Sequence, residues 1–326
     1  DALAAKSRCG TVLNVPVGMV PESDTANLAI LSYDPKVYSK GRSPLEAMSL
    51  GLTMEPDDTA IRCNVVTLSE GDVPFGERVI LDHSAGEIST EEADELVRAL
   101  NEALPMEGRH LYTGVSYRHC MLWKGADPTY NFARPHDHLG EKIGAYLPKD
   151  EDGGREFREF MEKGFAVLDH HPVNERRRAE GKNPANAPWL WSPGRKPALP
   201  SFKEKWNLDA SIVCAVDLIK GIGICAGCEV VSVPGATGNY YTNYLGKGEA
   251  AIDAFRRGSD LVYVHVEAPD ECGHQGNPVE KTSAIEKIDA EILAPVYQYL
   301  VDSGEDFKIL CLPDHPTPCE KRTHTS

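Results

Sequence analysis

Apolar runs alternate with amphipathic segments throughout the last third of the chain. Strand-like runs of β-branched and aliphatic residues occur at 211–216, 229–233, 260–267 and 308–312. Segments whose apolar positions have helical spacing lie between them, at 217–226, 246–257 and 279–303. Because strands that alternate with helices favour parallel pairing, with the helices on the sheet faces, this pattern predicts an α/β fold with a mostly parallel central sheet.

The two ends of the chain share this character, and the middle does not. A strand is predicted at 11–17, and a helix begins near Ser23 after the break at Pro21. Between them and the last third lie a strand at 60–68, a helix at 89–104 and a strand–turn–strand at 110–123. We therefore predict one α/β domain, formed by residues 1–55 and 201–326, with a smaller α+β domain, residues 56–200, inserted into it.

Charge and hydropathy exclude some classes of partner. The net charge is −16, from 34 basic and 50 acidic residues. A nucleic acid or an anionic membrane surface requires a basic footprint, so neither is expected as a partner. A small anionic substrate stays compatible, because arginines, lysines and metal ions can reverse the field inside one pocket. No stretch approaches the roughly 18–20 apolar residues of a membrane span.

Nine cysteines are scattered along the chain, several of them inside apolar runs. An odd count without regular spacing favours reduced thiols in the cytoplasm over a disulfide framework. The pair Cys225 and Cys228 forms a lone Cys-x-x-Cys, which we interpret as two thiols near a helix end. The chain begins at Asp1 without a methionine and stops soon after His324, so we expect both ends to be trimmed. A homo-oligomer stays open.

Aspartates and histidines follow the last predicted strands. Asp270 and His274 come after one strand, Asp314 and His315 after the next, and His324 nine residues later. The ends of strands are where α/β folds place their sites. Oxygen and nitrogen ligands without thiolates suit manganese, zinc or magnesium, and five of them are enough for two divalent ions.

Ser23 has two interpretations. As the first polar residue before an apolar helical segment, it or Asp24 can serve simply as the helix N-cap. A serine oxygen at a helix N-terminus also lies near backbone N–H groups and the positive end of the dipole, where a phosphate is stabilised. Ser23 is therefore also a candidate nucleophile.

Several ordered motifs resemble one family. They are PESDTANL at 21–28, GRSPLEA at 41–47, SYRH at 116–119, NAPWLW at 186–191, GRKP at 194–197, AVDLIKGIG at 215–223, VPGATG at 233–238, HVEAPDECGH at 265–274, LPDHPTP at 312–318 and RTH at 322–324. Together they resemble the archaeal-type cofactor-independent phosphoglycerate mutases of the alkaline phosphatase superfamily. The resemblance implies an alkaline-phosphatase-like domain with a closing insert. The implied activity is interconversion of 3-phosphoglycerate and 2-phosphoglycerate, a step of glycolysis and gluconeogenesis, without 2,3-bisphosphoglycerate.

The resemblance also implies a role for each matching residue. Ser23 matches the serine that is transiently phosphorylated, and Lys220 the lysine that contacts the phosphoryl group. Two divalent ions are implied, with manganese expected ahead of zinc or magnesium. Asp314 and His315 match ligands of the ion that activates the serine. The ligands implied for the second ion are Asp270, His274 and His324. The residues implied to bind the substrate are Arg118, His119, Asp137 and Arg195.

Three departures from the family pattern concern the two ends and the turn before Ser23. The family has a further aspartate ligand, in a Gly-Asp-Gly motif that ends its N-terminal strand, and a tail beyond His324. Neither is in this sequence, and we expect both to lie outside it. Glu22 stands where the family usually has glycine, so we expect a slightly altered turn before Ser23.

Two rival functions remain at this stage. A metal-dependent phosphatase or another phosphotransferase of the same superfamily would share the metal core, and only the insert would set its substrate. A protein that binds metal without catalysis is the rival from another class. A serine beside two metal sites favours phosphoryl transfer, because a metal activates the hydroxyl and stabilises the transferred group.

Overall fold

The computed structural model describes residues 3–39 and 41–325. Its helices are α1 (Ser23–Ile30), α2 (Pro35–Tyr38), α3 (Ser43–Ser49), α4 (Thr90–Ala103), α5 (Arg155–Leu168), α6 (Pro172–Ala179), α7 (Phe202–Trp206), α8 (Asp217–Cys225), α9 (Tyr244–Arg256), α10 (Ala268–His274), α11 (Pro278–Lys287) and α12 (Ala294–Ser303). Its strands are β1 (Asp58–Leu68), β2 (Ile80–Asp82), β3 (Arg109–Val115), β4 (Arg118–Lys124), β5 (Ala187–Arg195), β6 (Ala210–Val213), β7 (Glu229–Val231) and β8 (Leu261–Val264). The chain divides into two compact units, unit 1 (residues 1–39 and 198–326) and unit 2 (residues 40–197).

Unit 1 contains a parallel sheet in the order β7–β6–β8. Helix α8 connects β6 to β7, and α9 connects β7 to β8, so each crossover is helical. The apolar side of α8, including Ile219 and Ile222, is fully buried. Gly223 lets this helix approach closely, since a Cβ there would lie 2.9 Å from Ile212 Cδ1. The predicted α/β fold class with a parallel sheet is confirmed.

Two predicted strands are wrong. Residues 11–17 and 308–312 have no strand pairing, and side chains such as Val12, Leu13 and Leu310 are largely exposed. A β-branched run becomes a strand only where a neighbouring backbone supplies a hydrogen-bonding ladder. Within the described ranges, the sheet of unit 1 supplies that ladder to β6, β7 and β8 alone.

The long helix predicted at 279–303 forms as three helical pieces in sequence. A π-helical turn, Ile288–Leu293, joins α11 to α12. Pro295 lies at the start of α12 and has no N–H to donate to the preceding turn. Helix α9 packs against this turn, and a Cβ on Gly248 would lie 2.7 Å from Glu291 O.

Unit 2 is built on an antiparallel sheet in which β1 pairs with both β4 and β5, β3 pairs with β4, and β2 pairs with the end of β1. Ser89 caps α4 by accepting a hydrogen bond from Glu92 N at 3.2 Å. The apolar sides of α4 and α5 complete one core with the sheet. Leu96 and Leu100 contribute from α4, and Phe160 and Met161 from α5.

The limits of the two units differ from the predicted domain limits at 55/56 and 200/201. Helix α3 packs against β1 and β5 of unit 2, and its Leu45 and Ala47 are buried. Glu46 on the same helix pairs with Arg62 of β1, accepting from Arg62 Nε at 2.7 Å. These contacts place residues 41–55 in unit 2. Among the described residues, no helix is both long and apolar enough to span a lipid bilayer.

Candidate active site

Ser23 is the first residue of α1. Its Oγ lies 3.2 Å from Nε2 of His315, and the helix directs its N-terminal N–H groups toward the same region. Glu22 before it has φ −99° and ψ 151°, an extended conformation that any residue adopts. The glutamate therefore occupies this turn without backbone strain, although the family usually has glycine there.

Asn27 connects Ser23 to Asp314. It lies one helical turn after Ser23 and is fully buried. Its Nδ2 donates to Ser23 O at 2.8 Å and to Asp314 Oδ2 at 3.1 Å, and its Oδ1 accepts from the Tyr263 hydroxyl. Asn27 was not predicted from the sequence. Its i+4 spacing from Ser23 was the available signal, since residues four apart lie on one helix face.

The segment that carries Asp314 and His315 is held by side chains on both sides. Asn14 Nδ2 donates to Pro313 O at 2.7 Å and to Asp314 O at 3.2 Å. Thr317, also unassigned from the sequence, donates through its hydroxyl to Asp270 Oδ1 and lies 3.3 Å from His315 Nδ1. Burial lowers the pKa of His315, which favours the neutral imidazole that binds metal ions.

Asp270, His274 and His324 converge. The Nε2 atoms of His274 and His324 are 3.1 Å apart, and they lie 3.2 and 3.4 Å from the carboxylate oxygens of Asp270. Asp270, His315 and His324 each offer one ligand atom, and these three atoms lie within 4.8 Å of one another. Two neighbouring nitrogen lone pairs repel each other unless a cation or a proton lies near both.

The other ring nitrogens of these histidines face oxygen atoms. Nδ1 of His274 lies 3.1 Å from Arg322 O, and Nδ1 of His324 lies 2.8 Å from Pro21 O. A carbonyl only accepts, so each Nδ1 carries the proton and each Nε2 presents a lone pair. This is the arrangement of metal-binding histidines. The donor set therefore fits divalent metal ions, and a site of oxygen and imidazole ligands suits zinc, manganese or magnesium.

Two lysines and a histidine lie near the strand ends of unit 1. Lys220 on α8 has its Nζ 3.1 Å from Asp217 Oδ1, and its role at the phosphoryl group stays a prediction. Lys247 on α9 is only 1% exposed and donates to His265 O at 3.1 Å. Burial lowers the pKa of Lys247 to about 8, and burial lowers the pKa of His265 to about 4. Neither Lys247 nor His265 was assigned from the sequence.

The four predicted substrate-binding residues lie in unit 2. Arg118 is exposed and stacks over the Tyr117 ring at 5.2 Å, Arg195 is exposed, and Asp137 is exposed with Oδ1 3.6 Å from His136 Nε2. His119 is buried, and its Nδ1 accepts from Gly114 N at 3.2 Å. Burial lowers the pKa of His119 to about 4. The structure thus gathers Ser23 and the five predicted metal ligands within unit 1, and the role of the other four residues stays a prediction.

The chain is similar to known proteins of one family. The family model described as 2,3-bisphosphoglycerate-independent phosphoglycerate mutase matches residues 4–174. A protein of that name from Methanosarcina mazei is 46% identical over 326 residues, which cover all of this chain and 80% of the relative. The chain belongs to this family. Another member, from Methanothrix thermoacetophila, is 43% identical over 327 residues, with 100% of this chain and 80% of the relative covered.

Solved structures support the same assignment of fold. The cofactor-independent phosphoglycerate mutase from Thermoplasma acidophilum has a TM-score of 0.56 and is 30% identical, with 83% of this chain and 69% of that chain covered. A protein from Pyrococcus horikoshii has a TM-score of 0.68 and is 29% identical, with 93% and 70% covered. The family and the alkaline-phosphatase-like fold inferred from the motifs are confirmed.

Proposed function

We propose that the protein interconverts 3-phosphoglycerate and 2-phosphoglycerate by transferring the phosphoryl group to Ser23 and back. The observation that carries this proposal is the 3.2 Å approach of Ser23 Oγ to His315, beside the convergent Asp270, His274 and His324. The names of the relatives support the same reaction, an intramolecular phosphoryl transfer that uses no 2,3-bisphosphoglycerate. The partner is thus a small molecule.

The proposed cycle conserves the phosphoryl group. Ser23 Oγ attacks phosphorus, the bond between phosphorus and the 3-oxygen of the substrate breaks, and that oxygen takes up a proton. The bound glycerate then reorients, its 2-hydroxyl attacks phosphorus, the bond between phosphorus and Ser23 Oγ breaks, and the hydroxyl proton passes to Oγ. The N-terminus of α1 stabilises negative charge on the phosphorylated serine. Lys220 is proposed to contact the phosphoryl oxygens.

Two divalent metal ions, with manganese ahead of zinc or magnesium, are proposed to be held by Asp314 and His315 on one side and by Asp270, His274 and His324 on the other. Such ions supply positive charge that lowers the pKa of a serine hydroxyl and stabilises a transferring phosphoryl group. Thr317 contacts a predicted ligand from each set. The side chain thereby helps to hold both sets in place.

Unit 2 is proposed to bind the glycerate portion. Arg118 and Arg195 carry planar guanidinium groups that bind a carboxylate through two parallel hydrogen bonds, and both are exposed. Asp137 is exposed as well and can accept from a substrate hydroxyl. His119 is buried, so its proposed contribution requires the ring to become accessible. The nine free cysteines support the cytoplasm as the compartment.

The decisive experiment follows 3-phosphoglycerate by ³¹P NMR with purified protein and Mn²⁺. We expect 2-phosphoglycerate to appear without inorganic phosphate, and a phosphoserine at residue 23 in acid-quenched samples by mass spectrometry. Ser23→Ala should reduce the rate on the order of 10⁴-fold or more. The matched control is Ser303→Ala at the end of α12, whose hydroxyl donates to Leu300 O and accepts from Glu305 N, both within three residues of it in the chain. Release of inorganic phosphate alone would instead identify a phosphatase, and an unaffected Ser23→Ala variant would contradict the phosphoserine.

A further inference from the structure

Four histidines surround the two aspartates of the candidate site, and the partner of each Nδ1 distinguishes them. His274 and His324 have carbonyl oxygens at Nδ1. His315 has the Thr317 hydroxyl, whose own proton is given to Asp270. That hydroxyl oxygen is left to accept from His315. In all three rings Nδ1 therefore carries the proton, and Nε2 is free to bind a metal ion.

His265 is the exception. Its Nδ1 is buried and has no hydrogen-bond partner among the described residues. Its Nε2 lies 4.0 Å from Asp314 Oδ2. A proton on Nδ1 would leave a buried N–H donor unpaired, which is unfavourable for an atom shielded from water. A proton on Nε2 faces a carboxylate instead.

The backbone of His265 is held from both sides. Its N–H donates to Val213 O at 2.9 Å, and its carbonyl accepts from Lys247 Nζ at 3.1 Å. The first bond extends the pairing of β8 with β6, and the second is made by a fully buried ammonium group. The Cα of His265 is thereby fixed beside Asp314, so a ring movement of about 1 Å brings Nε2 to hydrogen-bond distance of Oδ2.

We infer that His265 is a positioning residue rather than a metal ligand: its Nε2–H donates to Asp314 Oδ2 and fixes the carboxylate orientation. Asn27 Nδ2 donates to the same oxygen at 3.1 Å, so two donors restrain Oδ2. Oδ1 accepts from His315 N at 2.9 Å. Both lone pairs of Oδ2 are then used, and the one lone pair left on Oδ1 has a defined direction. The inference rests on the proposed metal site. It predicts that loss of His265 lowers the affinity for the ion at Asp314 and His315 and leaves the affinity for the other ion unchanged.

Titration calorimetry with Mn²⁺ tests this. We expect wild-type protein to bind two ions, and His265→Leu to weaken one of them about 10- to 100-fold while the other is unchanged. His265→Gln places an amide N–H donor near the position of Nε2, so it should restore most of the affinity. The glutamine oxygen can itself bind a metal ion, so the NMR measurement below is what separates a hydrogen-bond donor from a ligand. His170→Leu, at a ring that is 84% exposed in unit 2, is the matched control.

A second measurement uses unmutated protein and therefore does not depend on how the variants fold. Long-range ¹H–¹⁵N NMR of histidine-labelled protein, without metal and with Zn²⁺, reports which nitrogen of His265 carries the proton. We expect the Nε2–H form in both states. An Nδ1–H form with a metal-shifted Nε2 would overturn the inference, as would full affinity in His265→Leu. If wild-type protein binds no Mn²⁺, the proposed function fails together with the inference. If it binds Mn²⁺ and only the His265 tests fail, the inference alone is wrong.

Discussion

Ser23 Oγ and His315 Nε2 lie 3.2 Å apart, although 292 positions separate the two residues in the chain. Ser23 begins a helix near the start of unit 1, and His315 follows its last helix. Their approach depends on contacts that neither local sequence shows, above all Asn27 with Asp314 and Asn14 with Pro313. Variants of these supporting residues therefore give direct tests of the site.

Replacement of Asn27 by leucine should destabilise the protein and weaken metal binding. The variant removes a donor from Asp314 and leaves the Tyr263 hydroxyl without its acceptor. The free energy of unfolding should fall by about 1–3 kcal/mol, as measured by urea denaturation. Tyr263→Phe removes the same hydroxyl, so the double variant should cost less than the sum of the two single variants. Additivity within about 0.5 kcal/mol would contradict the coupling.

Replacement of Thr317 by valine should separate metal affinity from folding. Valine has nearly the same shape as threonine but no hydroxyl to contact Asp270 and His315. We expect Mn²⁺ affinity to fall about 10- to 100-fold, with a far-ultraviolet circular dichroism spectrum like that of wild type. Thr317→Ser keeps the hydroxyl and serves as the control. Equal Mn²⁺ affinity in the two variants would show that the hydroxyl has no such role.

Gly273 permits the close approach of α10 to the segment that carries Thr317. A Cβ at this position would lie 2.3 Å from Thr317 O, so alanine must push the two segments apart. Gly273→Ala should therefore lower stability by roughly 1–3 kcal/mol and reduce Mn²⁺ affinity, because Asp270 and His274 lie on the displaced helix. At Gly10 a Cβ would meet nothing within 4 Å. By thermal unfolding and calorimetry, the stability and Mn²⁺ affinity of Gly10→Ala should be close to those of wild type. Wild-type values for Gly273→Ala would contradict the predicted displacement of α10.

His119 should make unit 2 sensitive to acid. Burial lowers its pKa from 6.5 to about 4 in the folded state, so the unfolded chain binds more protons between these values. The contribution of His119 to the free energy of unfolding is complete above about pH 6.5. It is lost as the pH falls toward 4, and the loss is roughly 3 kcal/mol. Urea unfolding followed by tryptophan fluorescence should show a shallower pH dependence for His119→Leu than for wild type. The exposed His170→Leu variant should keep the wild-type slope.

The fold class was predictable because it depends on periodicity along the chain. Strand and helix alternate from β6 to α10, and the apolar positions of α8 and α9 recur with helical spacing. The boundary of the insert was less predictable. Helix α3 looks like any short amphipathic helix in sequence, and its place in unit 2 depends on Glu46 meeting Arg62 and on Leu45 finding the sheet.

The candidate site was also predictable from the sequence only in part. Residue type and position after the predicted strands made the five possible metal ligands candidates. Ser23 stayed open between a helix N-cap and a nucleophile until the family motifs were considered. Asn27, Thr317 and His265 were not indicated, since a buried amide, hydroxyl or imidazole has many structural uses. Their importance follows from the oxygen and nitrogen atoms they face.

The sequence by itself determined the alternation of strands and helices, the family, and the kinds of atoms available for chemistry. The tertiary structure alone decided which apolar runs pair as strands, since residues 11–17 and 308–312 are strand-like but have no ladder. It also decided which nitrogen of each histidine is free. The physical reason is the same in both cases. Hydrogen bonds join groups that lie far apart in the chain, whereas local patterns report only propensity and solvent preference.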